Sequence, residues 1–347
     1  MTRIAILAEG AFERLHAKTA IGLLRYRRED VVCVIDSTRA GRDAFACVGE
    51  GRGVPVVSSL AEARALRADQ LAIGIALAGG EVPAVFHPIL EEALRAGIDV
   101  VNGLHTRLAD DARLAGAAAE GGARIFDVRK PPDALPVGGH RRRREGSVVV
   151  LTVGTDAAVG KMTVALELVR ELRERRKSAA FVATGQTGIM IAGNGISVDA
   201  VVADFIAGAA EELVVSAAEG AEYVVVEGQG SLTHPGFSGV TLGLLHGSAP
   251  DRLILVHDAS RRTVKGFDHL PLRPLREYVP LYESAAAWSR PTGSPRVPVV
   301  AVALNTYGLD DAAARAAIAD AARDTGLPAT DAVRYGASVL ADAVLAR

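Results

Sequence analysis

Short apolar runs closed by glycine, proline or a charged residue recur along this chain, and they alternate with longer stretches whose apolar positions fall three and four apart. The short runs suit strands buried on both faces of a parallel sheet; the longer stretches suit helices laid over it. Over the first 135 residues the pattern predicts strands at 3–7, 31–35, 54–57, 71–75 and 99–101, with helices near 12–26, 60–66 and 88–96. Beyond them it predicts a strand opening the stretch 147–163, further strands at 179–183, 222–226, 251–257 and 297–304, and helices at 163–177, 200–218, 310–325 and 337–345. Two such series make an α/β protein with an N-terminal Rossmann-like parallel-sheet domain at 1–135 and a C-terminal doubly wound domain at 147–347, which the glycine-bounded loop after its first strand makes P-loop NTPase-like. The segment 136–146 between them holds a glycine pair and four consecutive arginines, Arg141–Arg144. It reads as a solvated linker, or else as a source of arginines for a phosphate.

The stretch 147–163, SVVVLTVGTDAAVGKMT, carries the strongest chemistry. A strand, a glycine-bounded loop and a helix in that order cradle a phosphate between backbone N–H groups and a helix N-terminus, and Lys161 adds a full charge. Gly154, Thr155, Asp156, Val159, Gly160, Lys161, Met162 and Thr163 are therefore the candidate cofactor-binding residues. Two departures from G-x-x-x-x-G-K-[ST] stand out: the first glycine sits one place early, and Met162 occupies the position of the hydroxyl that normally holds Mg²⁺. Binding of a polyphosphate is strongly indicated, whereas its hydrolysis is not.

Three further segments belong with the cradle. Thr184, Gln186 and Thr187 open a glycine-rich stretch after a strand, which reads as poor helix and as a ligand loop. Asp199 reads as the cap of the helix at 200–218, with Asp204 one turn inside, either exposed or aimed at the site. The strand at 222–226 runs into Glu227-Gly-Gln229-Gly-Ser231, which places a carboxylate beside the phosphate loop as a general base or a water-mediated Mg²⁺ ligand. His234 and Ser238 follow in a polar loop, and no G-x-S-x-G elbow is present. Arg261, Arg262 and Lys265 form a basic cluster suited to an anion or to solvent. In the N-terminal half, Asp36 closes the second strand where a ribose-binding acid often sits, yet the glycine fingerprint is missing, so a Rossmann-like scaffold without nicotinamide is expected.

Composition narrows the class. A net charge of −2 gives no reason to expect nucleic acid or anionic membrane as partner. The two cysteines, without a CxxC, fit a reducing compartment and supply no metal site. No apolar run approaches the ~20 residues of a membrane span. A cytoplasmic enzyme with a small-molecule substrate, no metal site of its own and a homo-oligomeric assembly is the expectation.

The motifs VGTDAAVGKMT, ATGQTGIMIAGNG, DAVVADFIAGAAE and VEGQGSLTHPGFSGVTLGLLHGSAPD, with DVRKP before them, resemble a bacterial and archaeal two-domain family long catalogued as a domain of unknown function. The resemblance covers most of the chain. The P-loop half is also similar to dethiobiotin synthetase, in which an Asn matching Asn305 touches adenine. Members of the closer family include D-glutamate N-acetyltransferases. The resemblance thus implies transfer of an acetyl group from acetyl-CoA to the nitrogen of an amino acid, while the segment 7–26 departs from those enzymes and leaves the acceptor open. A P-loop can hold the pyrophosphate of coenzyme A without hydrolysing anything, which makes Met162 no defect. On this reading Glu227 is the base and His234 the second choice, Asp204 is a further catalytic candidate, and loop amides with Thr187 or Ser231 stabilise the oxyanion. Thr184, Gln186, Thr187, Gln229, Ser231 and Ser238 would line the substrate site. The alternatives are a ligase or kinase using ATP with Mg²⁺, held by Glu227 and Thr163, a nucleotide-sensing module and, on the N-terminal βαβ alone, an NAD-dependent epimerase.

Overall fold

The structure is a computed structural model and describes residues 2–76 and 79–346. The chain forms two compact units, one of Met1–Pro131 with Gln186–Ser197 and the other of Pro132–Gly185 with Val198–Arg347. The first unit is thus discontinuous. The segment 186–197, read from its glycines as a ligand loop, instead carries the helix Gln186–Ala192 and belongs to the first unit.

In that unit six parallel strands are β1 (Ile4–Leu7), β2 (Val31–Ile35), β3 (Val56–Val57), β4 (Gln70–Ile73), β5 (Asp99–Asn102) and β6 (Ile125–Asp127). Their order, β3-β2-β1-β4-β5-β6, is that of a Rossmann sheet. β1 lies at the centre with all four residues buried, as the unbroken apolar run requires. The helix expected from residue 12 starts at Lys18. Residues before it form turns that bury Phe12, and the Phe12 amide donates to Asp36 Oδ2 at 2.9 Å. Asp36 Oδ1 takes the amide and hydroxyl of Thr38 at 2.9 and 2.6 Å. The carboxylate placed where a ribose acid would be is committed to its own chain. Helix Gln186–Ala192 packs in this unit too: Thr187 Oγ1 lies 2.9 Å from Thr19 Oγ1, and Arg27 donates to the Met190 carbonyl at 3.1 Å. Those tertiary partners outweigh the low helix propensity of the segment.

The second unit is built on β7 (Val148–Gly154), β8 (Ala179–Val182), β9 (Tyr223–Val226) and β10 (Arg252–Asp258), then the antiparallel hairpin β11 (Thr263–Val264) and β12 (Phe267–Pro271), then β13 (Val299–Asn305) and β14 (Ala329–Thr330). The main sheet is parallel, in the order β14-β13-β10-β7-β9-β8. Successive residues of a strand face opposite ways, so Val150, Ile254 and Ala301 pack on helices Lys161–Glu174 and Ser338–Leu345, while Val149, Leu151 and Leu253 pack with Tyr278 and Tyr282 of helix Leu275–Trp288. That last helix was not foreseen; Pro280 breaks its pattern.

Three of the four linker arginines are committed away from the phosphate loop. Arg143 binds both oxygens of Asp251 at 2.6 Å, Arg141 pairs with Glu212, and Arg144 donates to the carbonyls of Ala218 and Ala221 at 2.8 Å. Asp251 precedes β10 and takes the Val149 amide at 2.8 Å, so these contacts gather at the N-terminal edge of the sheet. The cradle lies at the opposite edge.

Candidate functional site

The site of the second unit is assembled where β7, β8, β9 and β10 end, the edge at which open parallel sheets bind ligands. β7 stops at Gly154, and residues 155–160 loop over to helix Lys161–Glu174, with Gly160 at φ +110° and Ala158 at φ +56°. The amides of Ala158, Val159, Gly160, Lys161 and Met162 make no hydrogen bond among the described residues. A run of unsatisfied N–H groups at a helix start is an anion nest. Lys161 is buried, and its Nζ donates to the carbonyls of Asp156 at 2.8 Å and Gly230 at 2.7 Å. An ammonium carries three donors, so one remains for a phosphate oxygen. Burial draws its pKa down to about 7, against the pull of Asp156 and Glu227.

The loop is pinned by side chains from other segments. Asp156, fully buried, accepts the Ala157 amide at 2.7 Å on one oxygen, and on the other Arg261 at 2.8 Å and the Lys265 amide at 2.7 Å. With both oxygens engaged within the chain, it shapes the cradle. Thr155 Oγ1 lies 2.9 Å from His257 Nδ1, an imidazole that burial holds neutral by lowering its pKa to about 4. Tyr282 donates to the Gly154 carbonyl at 2.6 Å and accepts the Leu232 amide at 3.1 Å. Val159 is buried in the core beneath the loop, while Met162 and Thr163 are half-buried in the first helical turn.

Glu227 follows β9 directly. Its Oε2 accepts the amides of Thr184 at 3.0 Å and Gly185 at 3.1 Å, and Oε1 makes no hydrogen bond among the described residues. Burial raises its carboxyl to about 7; the two amides and Lys161 oppose the shift without cancelling it. Thr184 Oγ1 donates to the Glu227 carbonyl at 2.7 Å, and Gln229 Nε2 donates to the Thr184 carbonyl, so the ends of β8 and β9 are laced together. Gly228 allows this closeness: a Cβ there would meet the Thr152 carbonyl oxygen at 1.6 Å and Lys161 Cδ at 3.2 Å. The acid and the lysine therefore share one buried corner.

The other candidates are placed differently. His234 is buried, with Nδ1 accepting the Gly236 amide at 3.1 Å and Nε2 3.2 Å from the Lys265 carbonyl. That pairing fixes the Nε2–H tautomer and leaves neither nitrogen for proton transfer, so His234 is a strut stacked on Phe237, not the second base. Asp204 is exposed on a short turn, Ala203–Phe205, because the following helix starts at Ile206, later than expected. Ser231 is buried beside Thr233 and Tyr282, and Ser238 opens helix Ser238–Ser248. Asn305 ends β13, its Oδ1 accepting the Tyr307 amide at 3.1 Å. Gln186 and Thr187 lie in the first unit. Tyr282 and the Asp156–Arg261 pair were not singled out in advance. Only the i,i+4 spacing of Tyr278 and Tyr282 on one helix face carried a hint of the former.

A glycine-bounded loop between a central parallel strand and a helix, closed by a lysine and faced by a strand-end acid, defines a P-loop protein. A family profile described as "Domain of unknown function (DUF1611_C) P-loop domain" matches residues 136–341, and its companion, a Rossmann-like domain (DUF1611_N), matches 37–131. The chain belongs to this DUF1611 family. It is 37% identical to a protein of Tritonibacter scottomollicae named D-glutamate N-acetyltransferase, over 96% of both chains. A second protein of that name, from a Pseudoalteromonas species, is 37% identical over 80% of this chain and 82% of its own. A crystal structure of a DUF1611 family protein from Anabaena variabilis superposes with a TM-score of 0.91 at 43% identity, covering 99% of each chain.

Proposed function

We infer that this protein is an N-acetyltransferase that moves an acetyl group from acetyl-CoA to the amino group of an amino acid of the D-glutamate type. The observation that carries the reading is Glu227, a buried carboxyl of pKa about 7 beside a phosphate cradle, in a chain with relatives over 96% and 80% of its length that bear that activity in their name. The free amides of 158–162 and the third N–H of Lys161 fit a pyrophosphate, which coenzyme A carries. The thioester supplies an activated acyl carbon. Glu227 takes one proton from the substrate ammonium on Oε1 and releases it to solvent. The amine nitrogen bonds to the acyl carbon and gives its second proton to Glu227, and as the C–S bond breaks that proton passes to the leaving sulfur. A general base of this kind contributes typically 10²–10⁴-fold. Because a Lys-Met pair replaces the usual Lys-Ser/Thr, the loop is suited to holding phosphates without positioning Mg²⁺ for their cleavage.

The test is direct. The purified protein, given acetyl-CoA and D-glutamate, should release free thiol and form N-acetylglutamate in equal amounts. ADP produced only with ATP, Mg²⁺ and an amino acid would replace this reading with the ligase. The same assay run with other D- and L-amino acids identifies the acceptor.

A further inference from the structure

A cavity of about 410 Å³ opens in the same unit, lined by His257 near the end of β10 and Leu304 near the end of β13. Its size falls within the range of small-molecule sites, about 300–1,000 Å³. Leu272 and Leu275, from the approach to and start of helix Leu275–Trp288, and Ala317, from helix Asp311–Thr325, line it too. A lining of leucines, alanines and an imidazole suits an aromatic ring.

One wall is shared with the cradle. Arg261 lines the cavity and also donates to Asp156 Oδ2 and to the Ala157 carbonyl at 2.7 Å, inside the phosphate loop. The charges around the rim are not balanced. Asp324 is held by Arg276 and Asp320 by Arg323, so both acids bring their own cations. Arg273 pairs with Glu277 at 3.0 Å. Arg262, by contrast, donates only to the carbonyls of Ala259 at 2.9 Å and Arg261 at 3.3 Å, and has no carboxylate partner among the described residues.

An apolar slot next to a pyrophosphate cradle, with a guanidinium lacking an acid at its mouth, calls for a ligand with an aromatic base and a phosphate group separate from its pyrophosphate. We propose that this cavity takes the 3′-phosphoadenosine end of coenzyme A, with Arg262 gripping the 3′-phosphate. The inference rests on the acetyl-CoA reading and deepens it. ATP lacks the 3′-phosphate, so Arg262 becomes the residue that selects a coenzyme A thioester over an adenine nucleotide. A guanidinium matches a phosphate through two parallel, charge-assisted hydrogen bonds.

Titration calorimetry of the intact protein with coenzyme A and with 3′-dephospho-coenzyme A tests this. Wild type should bind coenzyme A roughly 10- to 100-fold more tightly, the factor expected of one charge-assisted pair. Arg262→Ala should lose that margin and bind both ligands at the affinity wild type shows for the dephospho form; Arg262→Lys should recover part of it. Equal binding of the two ligands by wild type, or an Arg262→Ala variant that keeps the margin, overturns the assignment of Arg262 and leaves the acetyltransferase reading standing. Failure of wild type to bind either ligand, together with binding of ATP, overturns both.

Discussion

Oε2 of Glu227 receives the amides of Thr184 and Gly185, so the acid that ends β9 is held in place by the backbone that leaves β8. Both hydrogen bonds fall on one oxygen, which directs proton transfer to the other. Glu227→Gln keeps the shape and can still accept the two amides, yet it cannot take a proton. Turnover should fall by at least about 10²-fold with acetyl-CoA binding retained. A stopped assay for free thiol, paired with calorimetry on the same variant, separates the two effects; unchanged turnover removes Glu227 from the mechanism.

The pH profile should carry the same signature. Glu227 must be ionised and Lys161 charged in the free enzyme, and burial brings both to about 7. They share a corner and titrate as a pair, so kcat/KM for acetyl-CoA should follow a narrow bell around neutral pH. Once phosphate is bound to Lys161 its charge is stabilised, so kcat should keep the rising limb through about 7 and lose the falling one. Initial rates across the neutral range at low and saturating acetyl-CoA check both limbs, and a flat kcat would contradict the role of the acid.

The raised carboxyl also has a consequence for stability. Below the ordinary pKa of 4.5 Glu227 is protonated in both folded and unfolded chains and contributes nothing. Between 4.5 and about 7 the unfolded chain releases a proton that the folded chain keeps, so stability falls as pH rises through this window. Glu227→Gln escapes this loss. At pH about 8 the variant should be more stable than wild type by an amount on the order of 2–3 kcal/mol, with the difference vanishing near pH 4. Thermal melts at the two pH values measure it. A variant less stable than wild type at both would mean that the carboxylate holds the β8–β9 ends better than an amide does.

The strand, loop and helix at 148–174 were legible because apolar run, glycines and lysine fall within one short stretch and each constrains the same turn. Glu227 was legible for the same reason. The pairing of Asp156 with Arg261 was not, since 105 residues separate them and only the adjacency of β7 and β10 brings them together. His234 looked like a base because residue type is visible in a sequence, while the Gly236 amide and Lys265 carbonyl that occupy its ring nitrogens are not. Helix Gln186–Ala192 was misread because its glycines argue against a helix, and the Thr19 and Arg27 contacts that favour it lie in the N-terminal sequence.

The fate of the linker arginines can be checked without reference to catalysis. Asp251 holds Arg143 with both oxygens and caps the Val149 amide, at the edge of the sheet away from the cradle. Asp251→Ala strips one partner from a half-buried charge network and should cost about 1–3 kcal/mol of stability. Chemical denaturation reads that cost, while KM for acetyl-CoA should stay within about twofold, since ~0.4 kcal/mol is all that a twofold change represents. A rise in KM far beyond that would bring the linker back to the phosphate site.

Tyr282 tests whether the cradle depends on support from another segment. Its hydroxyl bridges the Gly154 carbonyl, where β7 ends, and the Leu232 amide, two residues beyond Gly230, whose carbonyl holds Lys161. Burial pushes the phenol up to about 12, so at neutral pH it donates as well as accepts. Tyr282→Phe keeps the ring in the core and removes only the oxygen, leaving a buried carbonyl and a buried amide without their partner. The cost should be about 1–3 kcal/mol. Because both orphaned groups belong to the segments that hold the phosphate loop and Lys161, the loss should appear in KM for acetyl-CoA more than in kcat. Glu227 is held by other bonds, those from Thr184 and Gly185, and its pH profile should stay where it is in wild type. A variant whose kcat limb moves instead would show that Tyr282 supports the acid rather than the cradle.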